Sequence, residues 1–173
     1  MSDDSENLQP ELPKHGVVAR IIHWSTGALV VYGFAKGLDN VNQLEDPQLW
    51  IFEVLFAFVL GAILAARFIW MRKFNKGASR LPETAPKWQH SLSWLGHNAI
   101  YVGMGTIILS GLAIAGLYYS PLQYSFVMDG IIFIHNASVA LTQIVIIGHV
   151  LAALYHYFWL KDGVMQTMTS LKK

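Results

Sequence analysis

Apolar and polar stretches alternate on a long scale in this chain. Four apolar runs, near residues 17–36, 48–71, 91–117 and 131–160, are separated by short polar segments. An α-helix needs about 20 residues to cross the hydrocarbon core of a bilayer, and each run is long enough. Inside lipid the backbone must satisfy its own hydrogen bonds, and none of the four runs is broken by proline. The pattern therefore predicts four consecutive membrane helices: an all-α, transmembrane, up-down four-helix bundle over residues 17–160. Residues 1–16 read as a polar, acidic N-terminal tail and 161–173 as a C-terminal tail. No internal repeat or low-complexity run is present.

Composition agrees with a membrane domain. Of the 173 residues 54% are hydrophobic and only 13% charged, where a soluble domain carries about 25%. The opening "MSDDSENLQPELPKHG" has no apolar core, which argues against a cleaved signal peptide. There is no cysteine, which excludes disulfides, thiolate-held clusters and a CxxCH site for covalent haem. A net charge of +1 points to no nucleic-acid partner.

Lys and Arg concentrate in cytoplasmic loops close to membrane helices. The second loop holds Arg72, Lys73, Lys76, Arg80 and Lys87, with Lys14 and Arg20 near the first span and Lys161, Lys172 and Lys173 after the last. The first loop, "KGLDNVNQLEDPQ", is mostly acidic, and the third, "LYYSPLQYSFVMDG", has no Lys or Arg. Both termini and the second loop are thus expected on the cytoplasmic side of a bacterial inner membrane. Trp50, Tyr118, Tyr119, Tyr124 and Trp159 fall where interfacial aromatics belong.

Ionisable residues within membrane spans face the bundle interior and mark sites. A lone histidine there is explained by one interhelical hydrogen bond, but the spans hold His23, His97, His135, His149 and His156. His135 and His149 are fourteen residues apart, a rise of about 21 Å with about 40° of angular offset. They share one face of the fourth helix, one near each side of the membrane. Neutral imidazole is a good axial ligand for haem iron, and helix bundles build such sites from facing helices. A histidine on another helix at matching depth is then required. His23, about 9 Å from the start of its helix, suits the inner level, where His149 and His156 compete by depth. At the outer level the second helix offers no histidine, and the residue at matching depth, about 8 Å in, is Glu53.

Several stretches in order, "RIIHW", Arg67, "LPETAPKWQHSLSWLGHNAIY" and "IHNASVALTQIVIIGHVLAALYHYFWLKDGV", resemble the bacterial cytochrome b561 family, membrane proteins that carry b-type haem. The resemblance covers nearly the whole chain after residue 16. It implies that His23 and His149 ligate an inner haem b and that His135 is one ligand of an outer haem. The family's fourth ligand falls at Glu53, so this chain departs there. A carboxylate ligand, a five-coordinate haem on His135, or loss of the outer haem would each follow from that departure. Arg20 and Arg67 are placed to meet haem propionates or, alternatively, to reach lipid headgroups. His97 and His156 have a propionate or quinone role open to them, or a packing hydrogen bond. Gly27, Gly103, Gly105, Gly111 and Gly148 suit either porphyrin faces or close helix packing. Lys87 and Trp88 read as interfacial anchors.

The expected function is one-electron transfer in the membrane between quinone or quinol and a redox partner. One bis-histidine haem lies on the cytoplasmic side and the outer site is altered. An accessory or structural subunit of a larger respiratory or photosynthetic complex is the alternative, favoured by Glu53 and by short outer loops. Quinone reduction driven by superoxide, a third reading, would favour basic outer loops, and these are acidic or neutral. A small transporter finds no support, with no broken span and no repeat.

Overall fold

The computed structural model of the protein describes residues 12, 15–38, 40–74 and 81–169. Most of the acidic N-terminal tail, together with Lys14, Lys76, Arg80, Lys172 and Lys173, lies outside the described residues. The main helices are α1 (Val17–Ala35), α2 (Pro47–Phe74), α3 (Lys87–Tyr118) and α4 (Phe126–Tyr155). A short 3-10 helix, Val41–Glu45, leads into α2, and a π-helical turn, His156–Leu160, extends α4. A final short helix, α5, spans Gln166–Thr169. All four long helices are apolar and long enough to cross a membrane.

Helix starts reach further than hydropathy alone indicates, because polar capping precedes the apolar run. Asp46 accepts from the Gln48 amide at 2.9 Å, capping α2 just ahead of Pro47, a residue suited to a first helical position. The Ser125 side chain accepts from Met128 N, and Asp129 sits in the first turn of α4, where the helix dipole favours an acid. That helix thus begins five residues before the apolar run at 131.

Each long helix packs antiparallel on the next. Tyr32 of α1 meets Phe52 of α2, ring centres 6.4 Å apart. The Trp50 indole donates to the Ala115 carbonyl at 2.9 Å near one end of α2, and Phe68 meets Tyr101 at 5.3 Å near the other. Close backbone contact joins α1 to α2, α2 to α3 and α3 to α4, whereas α1 and α4 are not among the closely packed pairs. The bundle is therefore open along its α1–α4 side.

The α3–α4 seam explains the fourteen-residue histidine spacing. Ser110 faces His135, Gly103 faces Thr142 and His97 faces His149. On α4 these positions step by seven, the repeat that keeps one stripe against a partner when two helices coil left-handed. Supercoiling removes the angular offset expected of a straight helix. Gly103 is required here, since a Cβ would collide with the Thr142 hydroxyl, and Thr142 is only 2% exposed.

Two apolar clusters form the core. Val30, Leu60, Met104 and Ile108 fill the middle of the bundle. Leu44, Ile114, Tyr118 and Met128 fill the end carrying the first and third loops, where the Tyr119 hydroxyl also donates to the Leu44 carbonyl at 2.9 Å. Toward the opposite end, where α1 begins and α4 ends, the central cluster stops at Leu64, Ile100 and Ile146. One turn further lie the histidines.

Candidate functional site at the terminal end of the bundle

Each long helix contributes at least one polar residue at this level. On α2, Glu53, Leu60 and Arg67 follow one another at seven-residue steps along the inward stripe, so Arg67 is buried at 8% exposure and Glu53 is half-buried. On α1, His23 lies one turn beyond Arg20. On α3, His97 gives its Nδ1 proton to the Ser93 carbonyl at 2.7 Å, which leaves Nε2 with a free lone pair. On α4, His149 stands between the others, with ring centres 5.1 Å from His97 and 6.4 Å from His23. Arg67 is close enough to act electrostatically on all three imidazoles.

The site is rich in unused donors. Among the described residues, Arg67 Nη1, Arg20 Nε and Nη1, and the Tyr101 hydroxyl are buried atoms without a hydrogen-bond partner. Buried polar groups are normally satisfied, because each one left unmade is costly. Tyr101 packs on Phe68, the residue after Arg67, and Arg20 lies one turn before His23; unmet donors of this kind suit an acceptor, and two of the three side chains carry positive charge. Tyr101 is a residue that sequence reasoning passed over. It lies one turn from His97 within "LGHNAIY", and only its burial distinguishes it.

The glycines separate into two kinds. Gly103 and Gly111 are close-approach positions, the second because an added Cβ would come within 3.3 Å of His135 Cε1. At Gly27, Gly105 and Gly148 an added Cβ meets nothing within 4 Å, so helix packing does not account for them. Gly27 lies one turn after His23 on α1, and Gly148 directly precedes His149 on α4.

His156 is engaged elsewhere: its Nδ1 lies 2.5 Å from Asp162 Oδ2. At the other end of the bundle the Ser110 hydroxyl donates to the Thr106 carbonyl at 2.6 Å and contacts His135 Nδ1 at 2.9 Å. With its one proton given away, Ser110 Oγ accepts from His135, so Nε2 of that ring also keeps its lone pair. Among the described residues no group of three or more His, Asp or Glu side chains could hold a bare metal ion. The imidazoles can act only as a pair of ligands, or as single ones, toward a metal that brings other donors with it.

The family model described as prokaryotic cytochrome b561 matches residues 14–171. No curated protein and no solved structure matches the chain. With nearly its full length matched, the chain belongs to the prokaryotic cytochrome b561 family, membrane proteins that bind haem b and transfer electrons.

Proposed function

We propose that the protein passes single electrons between quinol and a protein redox partner, with His23 and His149 as the axial pair of one haem b. The observation that carries this reading is the 6.4 Å between their ring centres, across the open α1–α4 side. Two imidazoles holding one metal from opposite sides, each nitrogen about 2 Å from it, have ring centres about 6 Å apart. The residues around them fit the group. Arg67 and Arg20 would offer charged donors to its carboxylates, Tyr101 a third donor, and Gly27 and Gly148 carry no side chain that would crowd it.

When bound, haem b supplies the one-electron iron chemistry, and the protein tunes it by ligation, burial and charge. His23 and His149 would be the residues that hold its iron. His97, fixed by Ser93, packs edge-on against His149 and limits its rotation. Arg67 is buried at 8% exposure, so its charge acts at an effective dielectric well below that of water.

The terminal end is assigned to the cytoplasmic side of a bacterial inner membrane, on the strength of Arg72, Lys73 and Lys87 in and beside the second loop. At the opposite end Glu53 stands where the family pattern places a ligand, so the expected stoichiometry is one haem b per chain. Glu53 also favours a second reading, in which the chain is an accessory subunit of a larger respiratory or photosynthetic complex. The test is haem counting by pyridine haemochrome on purified protein and on His149→Ala. One low-spin haem, lost in the variant, supports the His23–His149 pair, and an unchanged spectrum in the variant removes it.

A further inference from the structure

Because α1 and α4 are not closely packed on each other, something else must set the distance between His23 and His149. The segment after α4 is placed to do so. Lys161 at φ 50° and Gly163 at φ 79° both take left-handed backbone, which turns the chain sharply back at the end of the π-helical turn. Asp162, between them, braces that turn in two directions: Oδ2 meets His156 Nδ1 at 2.5 Å, and Oδ1 accepts from the Val164 amide at 3.2 Å. The returning segment then reaches α1. The His15 amide donates to the Thr167 carbonyl at 3.1 Å, and the Trp24 indole donates to the Met168 carbonyl at 3.2 Å. His15 and Thr167 are both buried at this junction. Trp24 adjoins His23, their ring centres 5.6 Å apart.

We infer that Asp162 is a positioning residue for the His23–His149 pair, acting through a clasp of residues 156–168 that ties α4 to α1. The inference rests on the assignment of His23 and His149 as axial ligands. Asp162 touches neither imidazole; it fixes the turn whose far end hydrogen-bonds beside His23. This gives physical content to the "HYFWLKDGV" stretch, which the axial pair alone leaves unexplained.

The test compares full-length wild type with Asp162→Asn, Asp162→Glu and Trp24→Phe, purified in detergent with haem loaded. The readouts are the low-spin EPR signal, the midpoint potential and the rate of haem loss to a scavenger protein. Asp162→Asn and Trp24→Phe should each broaden or shift the EPR signal, move the potential and speed haem loss. Direct partners of metal ligands are worth about 10-fold or more, so a clasp acting through the backbone is expected to speed haem loss by several-fold, on the order of that figure or less. Asp162→Glu should recover part of the effect. Should Asp162→Asn fail to accumulate, Trp24→Phe carries the test, since it removes one hydrogen bond and keeps an aromatic ring. Wild-type EPR, potential and haem retention in Trp24→Phe, and in Asp162→Asn where it folds, would overturn the clasp. A wild type without low-spin haem would overturn the axial pair itself, a separate and visible failure.

Discussion

Ser110 Oγ and His135 Nδ1 lie 2.9 Å apart across the α3–α4 seam, with the serine proton committed to the Thr106 carbonyl. With that proton committed, Ser110 is an acceptor suited to the His135 tautomer that carries its proton on Nδ1, and the Ile107 carbonyl lies within reach of the same ring. Ser110→Ala removes that acceptor. Nitrogen-15 NMR of the imidazole should then change from a single Nδ1–H form to a mixture. Stability should fall by about 1 kcal/mol, the usual worth of one intramolecular hydrogen bond. A His135 spectrum indifferent to the substitution would show that the seam does not orient the ring.

Gly103 tests the same seam by volume. Gly103→Ala places a methyl against the Thr142 hydroxyl, an overpacking expected to cost about 1–3 kcal/mol. Adding Thr142→Ala should restore most of the loss, because the two residues are in contact and their effects are coupled. Unfolding titrations in mixed micelles measure both. Additive losses would mean that the helices cross elsewhere.

Arg67 is the buried charge nearest the imidazole group. A positive charge favours the reduced state of a nearby redox centre, so Arg67→Gln should lower the midpoint potential. At an effective dielectric of about 20 the change is on the order of tens of millivolts. Arg20→Gln, on the half-buried residue, should act in the same direction by less, because solvent and headgroups screen it. Potentiometric titration decides both sign and order.

Glu53→His restores an imidazole on the inward stripe of α2, seven residues before Leu60. If His135 still faces a usable pocket, the haem count should rise from one to two, with a second low-spin signal. An unchanged count would mean that the apolar packing around Leu44, Ile114, Tyr118 and Met128 has closed that end.

Much of this was legible in the sequence, and the remainder divides along a physical line. Helix number and order follow from hydropathy, since membrane-length apolar runs have no other way to satisfy their backbones. The fourteen-residue interval announced a shared face, and the seam of His135, Thr142 and His149 on Ser110, Gly103 and His97 gives that face its partner. Cap residues moved the start of α4 to Phe126, because hydropathy does not register Ser125 or Asp129 as helical. Depth counting left His149 and His156 in competition. The family resemblance alone separates them; the structure adds that His156 meets Asp162, six residues along, a contact that no periodicity encodes. Tyr101 and the unpaired guanidinium atoms were equally invisible, because being unsatisfied is a property of surroundings rather than of residue type.

The open side of the bundle bears on how the molecule is put together. The helix pairs α2–α3 and α3–α4 can each close as a hairpin from their own contacts, whereas α1 is flanked by α2 on one side and by the chain's last turns on the other. The segment beyond α4 reaches back to α1, and one contact it makes there joins Trp24 to Met168, 144 positions apart in sequence. Docking of α1 on that segment is therefore a long-range step of folding that carries a loop-closure cost, whereas the α2–α3 and α3–α4 hairpins need only neighbouring helices.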